Sequence, residues 1–217
     1  MVIRVLRARL LLSVGLLLAT ASVATSQAAP AEQRPAESSK TSQWLQFVGG
    51  AAVGFGAHES GHVVFDVIFD ASPGVKRIDY AGIPFFAITH DATVSDRQEF
   101  TISSAGFWVQ HATSEWILTS HPHLKDERAP FLKGWLAWNV VASGVYSVAA
   151  FGRFGPPESD TRGMATSLGV PEPWIGALIA APAALDTWRY LHPESRWARW
   201  TSRAVKVSGV LLVIAAH

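Results

Sequence analysis

Apolar residues dominate the stretch from Leu45 to Phe69, and within it small or polar residues recur every four positions: Gly50, Gly54, His58, His62 and Asp66. A four-residue step keeps side chains on one slowly drifting face of a helix. The pattern therefore predicts a helix with a small and polar stripe, about 37 Å long at about 1.5 Å per residue, enough to cross a membrane. Past the turn at Ser72-Pro73-Gly74, two short runs, Val75 to Tyr80 and Ile83 to Thr89, flank Ala81-Gly82 and predict a hairpin. Further apolar stretches predict helices over Phe100 to Leu118, Pro130 to Phe151 and Pro173 to Tyr190. Between the last two, residues 152–170 read as a loop with a short helix at Thr161 to Leu168. The final apolar run, Ala204 to Ala216, is short for a membrane span. The expected fold class is mainly α, a membrane-embedded bundle of four to five helices with a small β-hairpin.

The N-terminal pattern differs. Arg4, Arg7 and Arg9 precede a short apolar run, Leu10 to Ala19, and Ser26-Gln27-Ala28 offers a small-x-small cleavage site. Residues 1–28 are read as a signal peptide, with an uncleaved anchor helix as the alternative. Residues 29–43, rich in Pro, Ser, Gln and charge, read as a flexible tether, and 44–217 as the helical domain.

Composition sharpens the membrane reading. Charged residues make up 16% of the chain, against about 25% in an average soluble protein, and Trp and Gly are plentiful, as in membrane helices. The expected location is a membrane crossed several times, such as a bacterial inner membrane, with lipid as a neighbour. A net charge of +1 carries no signal for nucleic acid. The absence of Cys excludes disulfides and thiolate ligands, so His and carboxylates must hold any metal.

The stripe carries the chemistry. His58-Glu59-Ser60-Gly61-His62 spells H-E-x-x-H. On a helix the two imidazoles lie one turn apart and can grip one Zn2+, while Glu59 can take a proton from an attacking water. The plainer alternative is two histidines hydrogen-bonded to neighbours, but burying such a group without a metal is costly. Catalytic zinc takes a third protein ligand, and the extended motif with a third His is absent, since Phe65 and Ile68 stand in its place. Glu99 and Glu115 are candidates, Asp66 could support the ligands, and Asp186, inside an apolar helix, is the best candidate. His111 and Glu115, one turn apart, read as a substrate contact or a solvated face, and Asn139 as a bond to a neighbouring helix. For Asp186 the alternative to a ligand is an ion pair with Arg189 three residues on.

An H-E-x-x-H on the first core helix, followed much later by Pro182-Ala183-Ala184-Leu185-Asp186, resembles the site-2 protease family of intramembrane zinc metalloproteases. The resemblance covers two short segments and the helix order, with Ser104-Ala105-Gly106 similar to the family's small-residue segment. It implies His58, His62 and Asp186 as metal ligands and Glu59 as the catalytic carboxylate. It further implies a zinc-dependent endopeptidase acting on membrane-associated protein or peptide substrates. The chain departs from the pattern at Thr187, where the family has Gly, and lacks the Asn ahead of the Pro and the Pro and Asn of the small-residue segment. Two other functions are compatible with the same residues: a non-catalytic metal-binding membrane scaffold, and a zinc hydrolase of a non-peptide substrate.

Overall fold

A computed structural model describes residues 39–80, 83–90 and 93–215. The signal peptide and the tether as far as residue 38 lie outside the described residues. In chain order the elements are α1 (Lys40–Ile68), β1 (Gly74–Tyr80), β2 (Ile83–Thr89), α2 (Asp96–Ser120), α3 (Pro130–Gly152), α4 (Asp160–Leu168), α5 (Glu172–Leu191) and α6 (Arg196–Ala215). Helix α1 begins inside the expected tether, because Ser39 caps it by accepting a hydrogen bond from the Ser42 amide. The described residues thus hold six helices where four to five were expected. The terminal apolar run is the end of a longer helix, α6, that starts eight residues earlier at Arg196.

Local chemistry sets the boundaries. Ser95 and Gln98 form a reciprocal capping box at the start of α2. Pro130 opens α3, where its missing N–H costs nothing. Gly169 closes α4 at φ 62°, a left-handed conformation that favours glycine. The hairpin is antiparallel, with Gly74 opposite Thr89 and Tyr80 opposite Ile83.

Helix α1 packs on α2 and α3, α3 on α5, α4 on α2, and α6 on α5. The buried residues of α1 are Gly50, Gly54, His58, Gly61, His62 and Asp66, the stripe seen in the sequence plus Gly61. The glycines set how closely the helices approach. A Cβ on Gly50 would fall 1.9 Å from the Phe131 carbonyl oxygen, and one on Gly134 the same 1.9 Å from that of Phe47. Backbone meets backbone between α1 and α3, so the GxxxG spacing serves helix packing. Asn139 of α3 donates to the Gln110 carbonyl and to the hydroxyls of Thr113 and Ser114 on α2, the interhelical role expected of it. Phe100, Phe107, Met164, Ala165, Ile175 and Ile179 fill the core between α2, α4 and α5. That core fixes α4 against α2.

One described helix, α3, is long and apolar enough to cross a membrane; the bent pair α4–α5 adds a second only if it counts as one broken span. This is fewer than the several crossings expected.

Candidate metal centre

Two neighbouring turns of α1 place His58 and His62 on its buried face, at 2% and 4% exposure. Their Nε2 atoms lie 3.2 Å apart. A third ligand atom meets them: Asp160 Oδ2, 3.3 Å from His58 Nε2 and 3.5 Å from His62 Nε2. Ligand atoms around one ion at bond lengths of 2.0–2.2 Å and tetrahedral angles lie roughly 3.3–3.6 Å from one another. The three observed separations therefore suit one face of such a site, and His58, His62 and Asp160 form a group that could hold a metal ion.

The surroundings orient the ligands. His62 Nδ1 lies 2.8 Å from the Ile102 carbonyl oxygen. A carbonyl can only accept, so Nδ1 carries the proton and the Nε2 lone pair of the neutral ring faces the group. This is the arrangement that outer hydrogen bonds impose on metal-binding histidines. His58 is held by packing. Its ring stacks on Tyr146 at 5.9 Å and meets Phe107 edge-on at 5.3 Å. Gly106 makes room for it, since a Cβ there would come within 2.6 Å of the imidazole. The Ser104-Ala105-Gly106 segment noted in the sequence thus lies against the histidine helix. Tyr146 also lies within electrostatic reach of Asp160. Asp160 stands in the first turn of α4, whose Gly163 lies close against Ser103 and Glu99 of α2.

Glu59 is half-buried beside the group, within the electrostatic reach of His58, His62 and Asp160. Its carboxylate is not among the converging ligand atoms.

Asp186, the third ligand expected from the sequence, is not among the converging atoms. Asp186 is buried on α5, but its carboxylate accepts from Lys206 Nζ at 2.7 Å and from Ser202 Oγ at 3.0 Å, and lies 3.6 Å from Arg189. Helix α6 engages it, so it does not join the two histidines. The alternative pairing with Arg189 is therefore present, with Lys206 as the closer partner. Glu115 belongs to the same cluster, bound by Arg189, Arg203 and Lys206, and His111 is 5% exposed, so neither sits on a solvated face. Asp160 was missed by sequence reasoning. In the sequence it stands among Glu158, Arg162 and Glu172, and nothing in its local pattern sets it apart from them.

A second polar group lies on the hairpin side. His90 Nε2 is 2.5 Å from Glu99 Oε2, and its Nδ1 is 3.7 Å from Asp66. Glu99 is thereby occupied, and Asp66 adjoins the motif without joining the converging atoms. The hydrogen bond to Glu99 raises the His90 imidazole above its ordinary 6.5, and the same bond lowers Glu99 below 4.5. The raised His stabilises the fold fully below pH 6.5 and loses that contribution as pH rises through its folded value. The lowered Glu contributes above pH 4.5 and loses its share as pH falls. Exchanging His90 for Gln should therefore cost most stability between pH 4.5 and 6.5. Denaturation midpoints of both proteins across pH check this; a gap that widens above about pH 8 would contradict it.

Comparison with family models, with curated proteins and with solved structures finds no match to this chain.

Proposed function

We propose that the chain is a membrane-embedded zinc metallopeptidase with His58, His62 and Asp160 as ligands and Glu59 as the general base. The observation that carries this reading is the meeting of two imidazole Nε2 atoms and one carboxylate oxygen at 3.2–3.5 Å separations beside an H-E-x-x-H glutamate. Nitrogen and oxygen donors in a group of three suit catalytic zinc, which keeps a position open. Zinc bound there supplies Lewis-acid polarisation of a carbonyl and lowers the pKa of water. Glu59 accepts the proton of the attacking water and passes it to the leaving amine. The Ile102 carbonyl fixes the His62 tautomer, and Tyr146 braces both His58 and Asp160. The likeness to site-2 proteases then rests on the H-E-x-x-H helix, while Asp186 serves the packing of α5 on α6.

The membrane part of the reading draws on outward-facing apolar side chains. Val141, Val145 and Val148 of α3 are each at least 60% exposed and share one helical face. Trp44, Leu45 and Val48 of α1 are similarly exposed. Water disfavours such faces and lipid accepts them. That placement supports a membrane-associated protein as the substrate.

The depth of the histidines favours a second reading, in which the metal is a structural pin tying α4 to α1. The experiment that separates the two starts from purified protein reconstituted in lipid. Expected are about one zinc per chain, cleavage of an unfolded protein substrate, loss of that cleavage with a chelator and its return with zinc. Protein that holds no zinc would sink both readings; zinc-loaded protein that cleaves neither soluble nor membrane-anchored test substrates would favour the pin.

A further inference from the structure

The three converging ligand atoms are not equally enclosed. The side chains of His58 and His62 are 3% and 5% exposed, whereas that of Asp160 is 19% exposed. Helices α2 and α3 close the far side, where Gly106 and Tyr146 hold the His58 ring. The approach to the group therefore lies at the start of α4, beside Asp160.

The hairpin borders that approach. Phe86 of β2 meets the Phe55 ring of α1 edge-on at 5.7 Å, one turn before Glu59. His90, just past β2, sits against Glu99 of α2 and Asp66, the latter one turn beyond His62. Lys76 of β1 reaches Glu158, two residues before Asp160, at 2.6 Å. The attachments thus flank the H-E-x-x-H segment along α1 and meet the loop that delivers Asp160.

These ties are light. Lys76 and Phe86 are both exposed, and an ion pair in contact with water holds weakly. Among the described residues β1 packs on β2 and on no helix. Once Lys76 lets go, its strand is carried by β2. Segments with few buried contacts open locally at low cost.

We propose that the hairpin is a lid over the metal centre, latched by Lys76 and Glu158. Closed, it keeps bulk water from Glu59 and the ligands; open, it admits an extended chain. The inference rests on the reading of His58, His62 and Asp160 as zinc ligands, and not on what the site cleaves.

The chain has no cysteine, so Lys76→Cys combined with Glu158→Cys gives one addressable pair. A reducible bis-methanethiosulfonate linker joins the two thiols across the space of the two long side chains. The full chain, zinc-loaded and reconstituted in lipid, is mixed with a chromogenic zinc chelator, and zinc release is timed. Expected is release at least about tenfold slower in the linked protein than in the same protein after reduction. Each single-cysteine variant should be indifferent to the linker. Lys76→Glu changes an exposed position, sets two like charges at the latch and should release zinc faster than wild type. Equal rates before and after reduction, or Lys76→Glu release no faster than wild type, would overturn the lid and leave the metal centre standing. Wild-type protein that takes up no zinc would overturn the metal reading and the lid with it.

Discussion

Glu59→Gln is expected to slow peptide-bond cleavage by about 100- to 10,000-fold while leaving the zinc content unchanged. The glutamine matches glutamate in size, so the half-buried position beside His58 keeps its packing. It cannot accept a proton, so the attacking water loses its base. In the proposed site the ligand atoms are those of His58, His62 and Asp160, which predicts that the metal stays. Cleavage rate and bound zinc, measured on the same preparation, check both halves. A rate within about twofold of wild type would remove Glu59 from the chemistry, and loss of zinc would make it a ligand.

The second large effect is structural. Glu115→Ala should destabilise the fold by about 3–5 kcal/mol. Glu115 accepts from Arg189, from Arg203 Nε at 2.9 Å and from Lys206 Nζ at 3.1 Å. Arg189 and Lys206 are 4% and 8% exposed. Alanine would leave them with Asp186 alone, and a buried cation without its counter-charge is far costlier than a lost surface pair. Glu115→Gln keeps the shape and one acceptor and should cost less. Unfolding midpoints for the three proteins test the order; a loss under about 1 kcal/mol for the alanine variant would mean that water already reaches the cluster.

These two sites also mark how far the sequence could be read. The helix of the motif, the two strands of the hairpin, and the helices α3 and α5 followed from periodicity and turn residues, because those signals are local. The four-residue stripe on α1 gave its buried face, because packing obeys helical geometry. Asp160 was hidden because its partnership with His58 spans 102 residues and depends on α4 docking against α2. Asp186 misled for a related reason. An acid inside an apolar helix asks for a partner, and the partner, Lys206, lies on a helix that showed in the sequence only as a short apolar run. Lys206 turns inward because Glu115 and Asp186 wait there. Tertiary contacts alone distinguish Asp160 from Asp186.

The most direct measurement is therefore zinc stoichiometry in Asp160→Asn and Asp186→Asn proteins, beside wild type. Even an outer partner of a metal ligand typically contributes 10- to 100-fold in affinity, so loss of a ligand should exceed that. The expected result is zinc at about one per chain in wild type and in the folded Asp186→Asn protein, and affinity at least about 100-fold weaker in Asp160→Asn. Zinc retained by Asp160→Asn and lost by a folded Asp186→Asn protein would contradict the account.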